Sequence, residues 1–386
     1  MSNSWAAGIH SQAFVVSNIE RSTTFLSDVL GLRLVKRTVH DHDPRLPVRH
    51  FDFGSDRQGG AHITLIEWNP IFYAIPSSGF FTAADTRAAL DAPRVGAAMG
   101  RWGSGTNHHL ALHVASRTEL LMWKSYLGTR GIHVTGPYFR NYFNAIYFRD
   151  PDGAIFEIAT TEPGFLYDEE VLGSTHQEAK PGAMTGARSE LDVAEESWDQ
   201  EVTERTPEMA LLGFHHNTSV SSDIERTTEF LTEQVGIDLI KRTDYLDQAG
   251  ATHFYYKAAP QVEDSAILTF FGFPGHERGR LGVGLSHHIA LVAKDADAVA
   301  EWRQDLLAKG IDVTEVEDGS YFRSASFRDP DGHILQIATP ADFSSDEDAD
   351  SLGRRLCLPE ELESERASIE RFHRDRPAPT PAVAAS

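Results

Sequence analysis

At 386 residues the chain exceeds one typical domain of roughly 100–200 residues, so several modules are expected. Its 57 acidic and 35 basic residues leave a formal charge of −22, which repels phosphate and excludes nucleic acid as a partner. The single cysteine, Cys357, excludes an intrachain disulfide and a thiolate metal cluster, and no run approaches the ~18 apolar residues of a membrane span.

Only seven of the basic residues are lysines, the surface expected of a protein that works in concentrated salt. The first residues, MSNSWAAGIHSQAFVV, lack the basic start and long apolar run of a secretory signal, so a cytoplasmic protein is expected.

Taken in chain order, the elements repeat. NIERSTTFL from Asn18 returns as DIERTTEFL from Asp223, and LVKRT at 34–38 returns as LIKRT at 239–243, both offset by 205. NHHLAL, with His108 and His109, returns as SHHIAL, with His287 and His288; FRDPDG from Phe148 returns from Phe327, both offset by 179. The order is A (8–70), B (106–161), A′ (211–274), B′ (285–340), an A-B pair over 8–161 and a second over 211–340.

In B, HHLALHVA reads as a strand, TELLMWKSYLGTR as a helix stopped at Gly131, and IHVTG as a second strand. Asp150-Pro151-Asp152-Gly153 supplies the fixed and positive φ of a tight turn joining AIYFR to AIFEIAT. The expected class is α+β: four tandem βαβββ modules pairing into curved, metal-binding sheets. Residues 162–210, rich in Glu, Gly, Ser and Thr without periodicity, read as a linker packed partly on the surface. Residues 341–386 read as an acidic extension, with an exposed helix in LPEELESERASIERF and a disordered tail, RPAPTPAVAAS.

Comparing the copies identifies candidate metal ligands. At the first strand, equivalent positions hold Ser11 in A, His109 in B, His216 in A′ and His288 in B′; at the last, B has Glu157 where B′ has Gln336. Pairing A with B and A′ with B′ would spoil both sites. Pairing B with A′ leaves His109, Glu157 and His216 as a complete set and puts every loss in the other pair. Strand alternation sets His216 with Thr218, and His109 with Ala111 and His113, while Leu110, Leu112 and Val114 face the core. His113 reads as a pocket or surface residue.

HHLAL, GFHH, YFNAIYFRDPDG and FEIAT together resemble the vicinal oxygen chelate superfamily, and four modules in one chain resemble its ring-cleaving dioxygenases of the hydroquinone type. The resemblance covers about residues 8–370. It implies metal ligation by His109, Glu157 and His216, with His108, His215, Thr218, Arg140 and Tyr147 lining a substrate pocket. In B′ the positions of Arg140 and Tyr147 hold Gly319 and Ser326.

Two histidines and one carboxylate on one face of an octahedral ion leave three positions open, the arrangement of non-heme Fe(II) oxygenases. The expected ion is Fe(II), with Mn(II) as the alternative, and the expected partners are a small aromatic diol and O2, with homo-oligomerisation left open. In that reading His108 or His215 acts as acid or base, Tyr147 hydrogen-bonds the oxyanion and Arg140 holds or orients the ring. A glyoxalase-like isomerase, which uses four protein ligands, and a binding or resistance protein are the rival readings.

Overall fold

The computed structural model describes residues 6–40, 43–54, 61–67, 99–165, 168–178, 198–258, 267–319, 321–344 and 346–375. Module A contains β1 (Ala6–Val16), the short helix α1 (Ile19–Thr24), which continues as a wide π turn over Phe25–Val29, then β2 (Arg33–His40), β3 (Asp43–Asp52) and β4 (His62–Glu67). The Asn18 side chain caps α1 by accepting from the backbone N–H groups of Glu20 and Arg21, the reason the repeat opens on Asn or Asp.

Module B contains β5 (Asn107–Val114), α2 (Arg117–Thr129), β6 (Thr135–Phe139), β7 (Asn144–Arg149) and β8 (Ile155–Thr160). Leu120, Trp123 and Leu127 recur at helical spacing along α2 and are fully buried. The IHVTG segment differs from expectation: Ile132 and Val134 pack on the core before the strand starts at Thr135, because the chain must first leave the helix at Gly131, φ +73°.

A two-residue strand, β9 (His176–Gln177), precedes module A′, which contains β10 (Phe214–Ser221), α3 (Ile224–Glu229), β11 (Asp238–Asp244), β12 (Thr252–Lys257) and β13 (Ile267–Gly272). Module B′ contains β14 (Ser286–Ala293), α4 (Ala296–Ala308), β15 (Glu317–Asp318), β16 (Arg323–Arg328) and β17 (Ile334–Ala338). The fold is α+β, made of duplicated βαβββ modules in curved sheets.

One sheet runs β15-β16-β17-β14-β1-β4-β3-β2 and the other β6-β7-β8-β5-β10-β13-β12-β11-β9. Module B therefore joins A′ through the antiparallel pair β5 and β10, and B′ joins A through β14 and β1. Each sheet cuts across the sequence grouping 8–161 and 211–340 by taking one module from each half of the chain. The sheets share one core, in which Phe14 stacks on Phe156 at 5.3 Å. Asp152 in the turn of B accepts from Ser17 and Arg21 of A, and Asp331 of B′ accepts from Ser222 and Arg226 of A′.

Two buried lysines pin the segments that follow B and B′. Lys241 Nζ donates to Asp168 at 2.9 Å and Glu169 at 2.5 Å under the Tyr142 ring; Lys36 Nζ donates to Asp346 and Glu347 under Tyr321. The linker is thus more than a surface connection, since it buries Glu169 and adds β9 beside β11. The C-terminal segment also differs from an exposed helix. It forms a 3-10 turn, Glu360–Glu365, and then α5 (Arg366–Arg374), burying Leu362 and Ile369 against Val39 because its few apolar residues fall on one side. The expected disordered tail, 376–386, lies outside the described residues.

Candidate metal centre

Register builds the centre. Tyr147, Glu157, Ala111 and His216 stand opposite one another across β7, β8, β5 and β10, so their side chains form one transverse row. Ala111 is the small residue in that row, and over it Glu157 and His216 can meet. His109 lies two residues before Ala111 on the same face, opposite Thr218.

The three expected ligands come together. His109 Nε2 is 2.9 Å from Glu157 Oε2 and 3.2 Å from His216 Nε2, and His216 Nε2 is 3.5 Å from the same oxygen. All three are buried, at 4%, 0% and 1% exposure for His109, Glu157 and His216. An octahedral ion about 2.1 Å from each donor holds neighbouring ligand atoms about 3 Å apart, so the spacing fits a divalent metal. Burial, helped at His109 by the Arg140 charge, pushes both imidazoles down to about 3; for His216 burial outweighs the opposing pull of Glu157. Both rings are neutral at physiological pH, as ligands must be.

A cavity of about 830 Å³ opens over this row, lined by His108, His109, His216, Arg140 and Tyr147 and walled by Phe143, Phe148, Tyr255 and Phe271 among others. His215 and Thr218 stand outside the lining. His215 lies between Phe143 and His113, its Nδ1 2.7 Å from His216 Nδ1. Thr218 Oγ1 contacts His109 Nε2 at 2.8 Å and Thr269 Oγ1 at 2.7 Å. His108 does line the cavity, while its Nδ1 meets that of His109 at 2.8 Å. Both neighbouring histidines therefore touch the side of a candidate ligand that faces away from the shared Nε2 cluster. His113 bonds to Thr161 Oγ1 at 2.6 Å, away from the lining.

Sequence reasoning missed Tyr245, Asp247, His253 and Tyr255, which A′ contributes to the cavity wall. Arg140 Nη1 donates to both Asp247 oxygens at 3.1 Å, and its Nε donates to the Tyr147 hydroxyl at 3.2 Å. The repeat itself carried the missing signal: A has His40, His42, Val48 and His50 at these four positions.

In the other sheet the same row reads Ser326, Gln336, Ala290, Ser11 and His62. Its side is packed with rings: His10 lies 4.8 Å from Phe322, His62 4.9 Å from Phe343 and His50 5.0 Å from Phe343.

Paired βαβββ modules meeting over two histidines and a glutamate that could hold a metal are the architecture of a known superfamily. Residues 8–158 and 213–337 match the Glyoxalase/Bleomycin resistance protein/Dioxygenase superfamily, and the chain belongs to it. It is 28% identical over 370 residues to "Putative ring-cleaving dioxygenase MhqO" of Bacillus subtilis (strain 168), covering 94% of each chain. It is 25% identical over 365 residues to "Putative ring-cleaving dioxygenase MhqE" of the same organism, covering 94% of this chain and 96% of the relative. Among solved structures, a "putative dioxygenase" from Bacillus subtilis subsp. subtilis str. 168 superposes with a TM-score of 0.70 at 24% identity, covering 98% of this chain and 99% of that one. Glyoxalase I from Zea mays superposes at 0.54 with 15% identity, covering 86% and 92%. Both structural likenesses concern the fold alone.

Proposed function

We propose that the chain is an Fe(II)-dependent, extradiol-type ring-cleaving dioxygenase acting on a catechol- or hydroquinone-like aromatic with O2. The observation that carries this reading is the convergence of His109 Nε2, His216 Nε2 and Glu157 Oε2 within 3.5 Å of one another, facing a cavity with aromatic walls. The names of the relatives found in Bacillus subtilis support it.

His109, His216 and Glu157 would hold a redox-active divalent ion, which would supply electron transfer between an aromatic ring and oxygen. The protein's own contribution is legible in its side chains. Two neutral imidazoles and one carboxylate would leave half of a divalent ion's charge uncompensated, which would favour deprotonation of a diol. Phe143, Tyr255 and Phe271 offer flat apolar walls that accept a ring and exclude water. Tyr147, next to Glu157 in the row, presents a hydroxyl to developing negative charge on oxygen. Among the described residues no fourth histidine, cysteine or carboxylate joins the group, which favours an oxygenase over a four-ligand isomerase.

The test is anaerobic reconstitution with Fe(II), and separately with Mn(II), followed by oxygen uptake on catechol and hydroquinone panels. His109→Ala, His216→Ala and Glu157→Gln are each expected to lower bound iron and turnover together, whereas His288→Ala keeps both. An iron-replete protein that consumes no oxygen with any diol would overturn the activity. Iron loss from His288→Ala as severe as from His109→Ala would overturn the site.

A further inference from the structure

Arg140 has the position expected of a substrate clamp, yet its hydrogen bonds lead elsewhere. Its Nη1 faces both oxygens of Asp247 at 3.1 Å, and Asp247 also accepts from the Tyr245 hydroxyl at 3.1 Å. Its Nε lies 3.2 Å from the Tyr147 hydroxyl, and its guanidinium packs over the Tyr147 and Tyr138 rings at 5.3 and 5.0 Å. The side chains of Arg140 and Asp247 are only 13% and 22% exposed, so their pairing is little screened by water.

The donor inventory fixes the direction of the second bond. Guanidinium has no acceptor, so the Tyr147 oxygen must accept and its own proton must point elsewhere. Arg140 thereby leaves Tyr147 free to act as a donor. Asp247 comes from the β11–β12 turn of A′ and Arg140 from the β6–β7 connection of B, so the latch joins the two modules at the cavity wall.

The repeat separates site from scaffold. The cluster of Asp168, Glu169 and Tyr142 around buried Lys241 has a full counterpart in Asp346, Glu347 and Tyr321 around buried Lys36. The latch has none: the positions of Arg140, Tyr147 and Asp247 hold Gly319, Ser326 and His42. The trio is missing from the module pair that also lacks a complete ligand set, as expected of a device that serves the metal site.

We propose that Asp247 is a positioning and specificity-determining residue: by holding Arg140 it orients Tyr147 as a donor and denies Arg140 to the carboxylate of an acidic aromatic substrate. This rests on the ring-cleavage reading for its kinetic part. The other cavity-lining arginine, Arg149, gives its Nη1 to the Gly153 carbonyl at 2.6 Å, while Asp150 and Asp244 add further acidic groups to the lining. A ring bearing a carboxylate would find the guanidinium already paired with Asp247.

The experiment compares wild type with Asp247→Asn, Asp247→Glu and the double variant Asp247→Asn/Arg140→Met, all loaded with Fe(II). Anaerobic calorimetric titration with hydroquinone and with 2,5-dihydroxybenzoate reads selectivity without turnover. Asp247→Asn should tighten 2,5-dihydroxybenzoate by about tenfold relative to hydroquinone, the worth of one freed charge-assisted hydrogen bond, and the double variant should lose that gain. In oxygen-uptake assays Asp247→Asn should lower kcat on hydroquinone by roughly 10- to 100-fold with KM little changed, and Asp247→Glu should restore part of it. If no diol is turned over but the binding ratio shifts as stated, the latch stands and the ring-cleavage reading falls. An unchanged binding ratio in folded Asp247→Asn, or a gain that persists without Arg140, overturns the proposal. Should Asp247→Asn fail to fold, Tyr245→Phe removes one partner of Asp247 and must shift the ratio in the same direction for the proposal to survive.

Discussion

His215 and His216 meet Nδ1 to Nδ1 at 2.7 Å. For His216 to offer its Nε2 lone pair to a metal, its Nδ1 must carry the proton, and His215 Nδ1 then accepts it. Such a partner would fix the tautomer and ring angle of His216. His215→Phe is therefore expected to weaken iron binding by about 10- to 100-fold, measured by chelator competition, while turnover at saturating iron changes much less. The opposite result, normal affinity with turnover lost, would make His215 an acid or base instead.

Tyr147→Phe separates ligand from catalyst. The hydroxyl touches Arg140 and faces the cavity but holds no metal, so iron stoichiometry should stay near that of wild type. Turnover should fall by about 10²–10³, the usual cost of one oxyanion hydrogen bond. Iron content, melting temperature and oxygen uptake are to be read on one preparation; a loss of activity that tracks unfolding would remove Tyr147 from the mechanism.

Lys241→Met and Lys36→Met test the two lysine clusters as scaffold. Each ammonium is fully buried against a nearly fully buried carboxylate, Glu169 or Glu347. Removing one partner strands that charge, at a cost of about 3–5 kcal/mol. Both variants should lose similar stability in urea titrations. A fall in iron affinity for Lys241→Met without loss of stability would contradict the scaffold role.

Acid should destabilise the sheet that lacks a complete ligand set. Burial, reinforced by neighbouring His62, holds His10 and His50 well below the usual imidazole range. The unfolded chain then binds more protons than the folded one below pH ~6.5, so stability is full above that value and falls as the pH drops. Each histidine adds a slope of up to about 1.4 kcal/mol per pH unit. In the iron-loaded protein, unfolding followed from pH 8 to 5 should show this loss, and His10→Phe/His50→Phe should flatten it; an unchanged slope would refute the assignment.

The pairing of B with A′ and the meeting of His109, Glu157 and His216 could be read from the sequence because a repeat makes each position comparable with its copies. The cavity wall was harder to read. Tyr245 and Asp247 lie in and beside a turn whose reach depends on sheet curvature, and nothing in their local spacing says that they meet Arg140, more than a hundred residues earlier. Glu169 and Ile369 were missed for a related reason. Each is one buried residue in a largely polar segment, below what hydrophobic periodicity can detect.

Strand β1 has β4 on one side and β14 on the other, and the Ser286 hydroxyl reaches the Ala13 carbonyl across 273 residues of chain. A ribosome adding roughly 5–20 residues per second needs on the order of 15–60 s to supply that second neighbour. Until then β1 presents an open hydrogen-bonding edge, the kind of surface on which newly made chains associate. Strand β1 therefore waits long after its own synthesis to be enclosed, which makes the period of synthesis, more than the finished fold, the time at which this strand is most exposed to aggregation.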